Sequence, residues 1–430
     1  MLTAGDQSLT RLDPRVPGLS VVLDPDEVLA LATRAVDVAI VDARPTYVRY
    51  KRATSCVVGY ELTTSDGPML VYAKAYATAG VAKIEKATAK QVHDERWGAG
   101  VMTDERHGVM LAPASNDRDL PALRALTDSA RRSEVMRRLL PHHPDLWQHE
   151  PQAIRHKPER RWVGVAERDG TPVALIKAYR HADWRRSRAA HRHLPTPGVR
   201  PLGWSRRRAA LATAWMPGTA FSTLLVADPS AGIDGVGTAL AALHATNPTG
   251  EMTGDGGGRA ASNLGPPARA VGDILPDLGD RTRRLASIIE PLLTDGRPRR
   301  CIIHGDFSAD QIIVSDTDVQ LIDFDQVHFG DPAADLASFA AGLIHASIES
   351  RVDRDRAAAL FERMVGEYRR CGGPAVRERL AAHLAGALLR IAVNPFRERN
   401  RDWPAVCEAL ITEAERATTS TLITGETTRC

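Results

Sequence analysis

The sequence predicts an α+β protein: two small β-rich modules, the second repeating the first, followed by a mostly helical C-terminal half. Three observations carry this. Near the N-terminus Tyr47–Tyr50, Cys56–Leu62 and Met69–Lys74 are alternating runs rich in β-branched and aromatic residues, as antiparallel strands are. The same pattern returns from Ile154 to Tyr179, down to matched short motifs. Beyond Phe339 the chain is rich in Ala, Leu and Arg, with helical periodicity to about Arg416.

In chain order, residues 1–20 mix Gly, Pro and polar residues without a period and read as an arm. A helix is expected from Asp24 to about Val41, because Asp-Pro-Asp-Glu supplies an N-cap, a proline for the first turn and acids facing the helix dipole. The three strands follow, the last two joined at Asp66-Gly67, and then a helical stretch from about Val81 to Arg96. In the repeat, Ile154-Arg155-His156-Lys157 answers Val48-Arg49-Tyr50-Lys51, and Trp162–Val165 stands for the second strand. Asp169-Gly170 repeats the turn, and Val173–Tyr179 repeats the third strand with its Lys-Ala-Tyr ending. An Arg-rich helix from about Ala182 to His193 comes next, then a strand at Ala209–Trp215, a turn at Pro217-Gly218 and helices through Leu243–Ala245. Residues 246–268, with Gly256–Gly258 and Pro266-Pro267, have the composition of a flexible surface loop, and 269–295 are helical in pattern. The last dozen residues, rich in Thr, are expected to fray.

Composition narrows the function. The 430 residues are 43% apolar and 25% charged with a formal net charge of +3, which is ordinary for a soluble globular protein and argues against a nucleic-acid binder. Arg clusters at Arg185–Arg186 and Arg206–Arg208 read as solvated surface. Cys56, Cys301, Cys371, Cys407 and Cys430 are scattered and never paired as CxxC, so neither a disulfide framework nor a zinc site is expected. No signal sequence and no apolar run near the ~20 residues that span a bilayer is visible, so a cytoplasmic protein without a membrane partner is expected.

The chemistry concentrates between Cys301 and Ala337. Apolar strands at Cys301–Ile303 and Ile312–Val314 flank His304-Gly305-Asp306-Phe307-Ser308-Ala309-Asp310-Gln311. A further strand, Val319–Ile322, delivers Asp323-Phe324-Asp325, and the run closes on Gly330-Asp331-Pro332-Ala333-Ala334-Asp335-Leu336-Ala337. This order puts Asp306, Gln311 and Asp323 at neighbouring strand ends facing one pocket. Phosphoryl transfer needs such a set: a carboxylate to take the proton of an attacking hydroxyl, and oxygen ligands to hold magnesium on the phosphates. His-Gly-Asp, an amide five residues on, Ile-Asp with its acid twelve further, and then Gly-Asp-Pro-x-x-Asp-Leu-Ala resembles the aminoglycoside phosphotransferase and choline kinase superfamily.

The resemblance implies a bilobal protein-kinase-like fold, small-molecule kinase activity, and ATP and Mg2+ as cofactors. Position by position, it makes Asp306 the catalytic base, Asp323 a magnesium ligand, and Gln311 the second metal ligand, where the family usually has Asn and bacterial maltokinases have Gln. Asp325 is either a further carboxylate of the site or a hydrogen-bonded structural one. His304 would brace the loop, and Asp331 and Asp335 a turn and a helix start. Lys177 would pair with the nucleotide phosphates, since its hairpin precedes Ala214-Trp215-Met216-Pro217-Gly218. That run resembles the hinge, where Trp215 and Met216 would meet the adenine. Lys74, in the extra copy, would belong to a decayed or capping module. The glutamate that usually partners the nucleotide lysine is missing from Ala182–His193. Either Asp183 replaces it, or Lys74, with Glu85 in helical reach, is the nucleotide lysine. Basic side chains of the glycine-free segment Lys157–Arg161 would contact phosphates.

The resulting domains are an N-terminal cap resembling a second N-lobe (1–145), a nucleotide-binding N-lobe with hinge (146–218) and a helical C-lobe carrying the catalytic loop and acceptor site (219–430). The partner is a small hydroxylated acceptor. From 351 to 430 the chain has 14 Arg and no Lys against 11 Asp plus Glu, which favours a neutral sugar, amino sugar or cyclitol over a polycation. Arg390, Asn394, Phe396 and Arg397 lie where family members build the acceptor pocket. Other readings stay open: an aminoglycoside-type antibiotic kinase conferring resistance, a pseudokinase or nucleotide-gated interaction module, or a protein kinase.

Overall fold

A computed structural model describes the chain apart from residues 37, 81, 99, 194–200, 228–229, 231, 247–261, 295–299 and 427–430. It divides into two compact units, Met1–Arg185 with Pro201–Trp215 and Pro395–Trp403, and Arg186–Arg200 with Met216–Asn394 and Pro404–Cys430.

The first unit holds two antiparallel five-stranded sheets of one design. Strands β1 (Ile40–Lys51), β2 (Ser55–Thr64), β3 (Gly67–Tyr76), β4 (Met102–Asp104) and β5 (Val109–Pro113) are ordered β1-β2-β3-β5-β4. Strands β6 (Gln152–Lys157), β7 (Arg161–Arg168), β8 (Thr171–Tyr179), β9 (Pro201–Ser205) and β10 (Ala210–Ala214) are ordered β6-β7-β8-β10-β9. The repeat extends to position within the ladders. Lys74 lies between Val57 and Met110, and Lys177 between Val163 and Leu211. Asp169 and Gly170 take φ of 48° and 73°, the left-handed pair that a tight hairpin turn requires.

Three helices precede the first sheet: α1 (Ala4–Leu12), α2 (Leu19–Leu23) and α3 (Pro25–Thr33). The expected arm is therefore helical. Thr3 and Asp6 form a reciprocal capping box that starts α1, and the Asp6 carboxylate is buried against Arg399 at 2.7 and 2.8 Å. Helix α3 begins as its cap foretells but stops at Thr33, and Ile40 already pairs with Thr64 in the sheet. Of the helix expected over 81–96, only α4 (Ala82–Thr88) forms. Past it, the Asn116 amide bonds the Val92 N–H and carbonyl, and Asp94 accepts from the N–H groups of Arg96 and Trp97. These side chains offer the backbone an alternative to the helical ladder. Two further helices, α5 (Leu123–Leu126) and α6 (Ser129–Leu139), cover the second sheet, packing Leu123, Met136 and Leu139 on Trp162, Ile176 and Ala212.

Helix α7 (His181–His193) follows β8. The second unit is mostly helical, with α8 (Phe221–Ala227), α9 (Ile233–Ala245), α10 (Gly265–Ile274), α11 (Gly279–Thr294), α12 (Ala333–Ile348), α13 (Arg354–Arg370) and α14 (Arg377–Ile391). The short α15 (Asn394–Arg397) precedes the long α16 (Trp403–Glu426). Strands β11 (Thr219–Ala220), β13 (Ile312–Val314) and β14 (Val319–Leu321) form one small sheet, and β12 (Cys301–Ile303) pairs with β15 (His328–Gly330). Phe221, Leu240, Phe307, Phe324, Leu336, Phe339 and Met364 share the core beneath them. Of the expected loop 246–268, residues 247–261 lie outside the described residues, and from Gly265 the chain is helical. Pro266 and Pro267 fall in the first turn, where a missing N–H leaves no bond unmade. The expected frayed tail is helical through Glu426, and 427–430 lie outside the described residues. Among the described residues no helix is long and apolar enough to cross a membrane.

Candidate active site

The loop carrying Asp306 is held from behind by a buried carboxylate. Asp335, in the first turn of α12 and 1% exposed, accepts from the backbone N–H groups of His304 (2.6 Å) and Gly305 (2.9 Å). It also lies 3.1 Å from His244 Nε2, whose Nδ1 is 2.8 Å from the Tyr368 hydroxyl. Burial alone would raise the Asp335 pKa. The His244 hydrogen bond and charge, the His304 charge and the Gly305 N–H outweigh it and hold the group below the usual carboxylate value. A charged group thus fixes the two residues before Asp306, which is itself exposed. Gly305 has φ 78°, and a Cβ there would run into the Gln326 carbonyl, so only glycine serves.

His304 is wholly buried, and its Nε2 sits 2.9 Å from the Ile322 carbonyl, beside Asp323. Its ring packs against Phe324 with centroids 5.0 Å apart. From the other strand, the Ile322 N–H donates to the Gln311 carbonyl at 2.9 Å, and β13 and β14 pair from Ile312↔Leu321 to Val314↔Val319. Asp323 takes φ 62° and turns the chain out of β14 into the short helical turn Phe324–Gln326. The loops of Asp306, Gln311 and Asp323 are therefore stitched together through Ile322.

The neighbouring acids have other work. Asp325 is buried and accepts from the Ser187 hydroxyl at 2.6 Å, with His191 Nε2 3.9 Å away, which is the hydrogen-bonded alternative. Asp331 accepts from the Ala333 N–H (2.9 Å), from Arg379 and from His383 (3.1 Å). Burial opposes its ionisation, but His383, Arg379 and the Ala333 N–H hold its pKa down to about 2.

In the first unit the two candidate lysines differ. Lys74 is bound by Glu159, which also takes Arg49, and its ammonium lies 4.6 Å from the centre of the Tyr76 ring. Glu159 stands in the β6–β7 turn with φ 58°, its N–H donating to Asp117 at 2.7 Å, and Asp117 also lies 3.0 Å from His156 Nε2. The alternative that paired Lys74 with Glu85 is therefore corrected: its partner is Glu159, in the glycine-free segment expected to contact phosphates through its basic side chains. Asp183 pairs instead with Arg180, at 2.6 and 2.7 Å, because the two lie three residues apart at the start of α7. Lys177 is 6% exposed on β8. The Trp215 N–H continues that ladder by bonding the Val173 carbonyl at 3.0 Å.

The acceptor candidates split. Phe396 is core, 1% exposed and packed edge-on against Tyr50 and Trp403, which corrects its assignment to a pocket. Arg397 belongs to the first unit and Arg390 and Asn394 to the second. Burial lowers the Arg397 pKa, and Arg160 adds to the effect. Burial brings Arg390 down to about 10, and among the described residues it has no hydrogen-bond or ion-pair partner. Sequence reasoning missed His244 and Glu159. The one trace of His244 is a lone polar residue in the apolar run Leu240–Ala245.

A profile of the phosphotransferase enzyme family matches residues 158–373, half of the chain. No curated protein matches. Among solved structures, a choline kinase from Cryptosporidium parvum is similar at 12% identity over 69% of this chain and 97% of that one, with a TM-score of 0.48. A choline/ethanolamine kinase family protein from Mesorhizobium loti is similar at 15% identity over 68% and 94%, with a TM-score of 0.46. An aminoglycoside phosphotransferase from Streptomyces rimosus is similar at 21% identity over 59% and 97%, with a TM-score of 0.41.

Proposed function

The chain belongs to the phosphotransferase enzyme family and is a small-molecule kinase with an alcohol acceptor, and from that premise we propose that it moves the γ-phosphoryl group of ATP onto a sugar, amino sugar or cyclitol. The observation that carries this is the clamp beneath the loop. Asp335, His304 and the Gln311–Ile322 bond fix the backbone of the loops that carry Asp306, Gln311 and Asp323, and Asp306 is exposed.

In this reading Asp306 accepts the proton of the acceptor hydroxyl as it attacks. Gln311 and Asp323 offer an amide carbonyl and a carboxylate, the hard oxygen donors that Mg2+ takes, and the cation when bound supplies neutralisation of phosphate charge. Lys177 pairs with the phosphates. At the hinge the Trp215 N–H is already used on Val173, which leaves its carbonyl and the Met216 backbone for the adenine edge. Catalysis is then mainly positioning and charge stabilisation.

Arg390 supports an acceptor that is not a polycation. A half-buried guanidinium without a carboxylate opposite it disfavours an acceptor bearing several ammonium groups and suits hydroxyl or other oxygen groups. Asn394 of the same unit is proposed to contact the acceptor with it. The test is acceptor-dependent ADP release with Mg-ATP across sugars, amino sugars, cyclitols and aminoglycosides. Removing the base in Asp306→Asn should lower turnover by about 10²–10⁴. Release with aminoglycosides alone would replace the sugar-class reading by that of an antibiotic kinase. Saturable ATP binding with no release on any acceptor would replace it by a pseudokinase.

A further inference from the structure

Arg185 from one of the Arg clusters that read as separate solvated surface in the sequence, and Arg206 and Arg207 from the other, line one groove. A cavity of about 840 Å³ in the first unit is lined by Arg138 from the last turn of α6, His181, Trp184 and Arg185 from the start of α7, and Trp204 to Arg207 from β9 and the turn after it. Arg138, Arg185, Arg206 and Arg207 are all exposed, and the Trp204 indole is 45% exposed. Among the described residues no carboxylate lines the groove, and Glu134 approaches Arg138 only to 3.8 Å from one turn back along α6.

The walls are fixed. A Cβ at Gly203 would run into the carbonyl groups of Arg138 and Leu139, so β9 lies directly on the end of α6 and carries Trp204 beside Arg138. The β9–β10 turn is closed by the Ala209 N–H on the Arg206 carbonyl (3.4 Å) and the Arg208 N–H on Ser205 Oγ (3.3 Å). On the floor, Trp184 packs with Tyr179, Ala209 and Leu211 and bonds the Ala210 carbonyl at 3.3 Å. The neighbourhood is positive on balance as well. After burial, the charge of Arg207 is the largest influence on the Arg208 pKa and lowers it, with Arg131 and Arg124 adding to it and Glu134 opposing.

We propose that this groove is a second ligand site, separate from the catalytic loop, for a phosphorylated small molecule with a planar ring, a nucleotide in chemical class. The guanidinium forks suit phosphate oxygens bidentately, and a half-exposed indole between them suits a base face. A net charge of only +3 argues against a nucleic-acid track.

The test uses the full-length protein with its catalytic site filled by a non-hydrolysable Mg-ATP analogue. Uridine diphosphate, pyrophosphate and a single-stranded oligonucleotide are then titrated calorimetrically. Uridine diphosphate should bind once per chain, and Arg206→Gln with Arg207→Gln should weaken it by about a hundredfold, roughly tenfold per charged contact, while kinase turnover is retained. Trp204→Ala should weaken uridine diphosphate but not pyrophosphate. Absence of saturable binding to the wild-type protein would overturn the proposal, as would binding that the double variant leaves unchanged. Oligonucleotide affinity that climbs with length past that of uridine diphosphate would overturn it too, making the groove a nucleic-acid surface.

Discussion

The two sheets of the first unit share a strand order and a lysine at the same rung; the first lysine pairs with a carboxylate of the other sheet, and the second is the one proposed for the nucleotide. Lys74 of the first sheet is held by the second: Glu159 of the β6–β7 turn neutralises it, Arg49 shares the carboxylate and Tyr76 presents its ring. The ion pair raises the Lys74 pKa although burial opposes it, so the charge is kept and bound. In the second sheet Lys177 stands on the strand that leads, through β10, to Trp215 and Met216. A duplicated module can thus keep its frame and use the strand lysine of one copy to staple it to the other. The counter-charge of Lys74 comes from the other copy, from the β6–β7 turn of the second sheet.

The largest effect should separate the lysines by activity. We expect Lys177→Met to lower kcat/KM by about 10²–10³, as loss of a charged phosphate contact does, and Lys74→Met to leave it within about threefold. Equal losses would break the comparison and return Lys74 to the active site. Stability should show the reverse pattern. Lys74→Met and Glu159→Gln should each cost about 1–3 kcal/mol in denaturant unfolding, because each leaves a partly buried charge less well paired. A double-mutant cycle should return a coupling of roughly 1–2 kcal/mol between them, and additivity would mean that the staple carries nothing.

Acid should test the two units through their buried carboxylates. Asp331 has a pKa depressed to about 2 in the folded chain, so its contribution is present above the unfolded value near pH 4 and is lost as pH falls from about 4 to about 2. It is worth roughly 2 kcal/mol, and Asp331→Asn should flatten that limb of the second unit's acid unfolding. Asp6 in the first unit, also depressed because Arg399 outweighs burial, has the same sign and should lose its contribution as pH falls below the ordinary carboxylate range. The smallest effect concerns Asp183. Paired with Arg180 and not with the nucleotide lysine, it should change KM for ATP by no more than about twofold when replaced by Asn. A tenfold rise would place it back opposite Lys177.

Much of this was legible in the sequence where the signal is local. The hairpins follow from alternation and from Asp-Gly turns, and the Asp24 cap marks its helix start. The loop around Asp306 is legible because its strand, turn and acid spacing are contiguous. Long-range satisfaction of charge was not legible. Glu159 is 85 residues from Lys74, so nothing in the window around either predicts the pair, and proximity in sequence suggested Glu85 instead. Phe396 failed for the same reason, since its partners Tyr50 and Trp403 include one from the far end of the chain. The first helix was missed for a different reason. Its capping box is only Thr3 and Asp6, with no long apolar period behind it, and tertiary burial of Leu9 and Asp6 completes it.

Helix α1 also has a consequence for how the protein is made. Its buried Asp6 is neutralised by Arg399, 393 residues later, and Pro395–Trp403 is part of the first unit. At ribosomal rates of about 5–20 residues per second, the N-terminal unit waits roughly 20–80 seconds for its last piece to be synthesised. Until then Asp6 has no cation, and Tyr50 lacks the ring of Phe396. The module that begins the chain is therefore among the last to be finished. Nascent chains stopped anywhere before Arg399 should present an open, protease-sensitive N-terminal half however well their own strands pair.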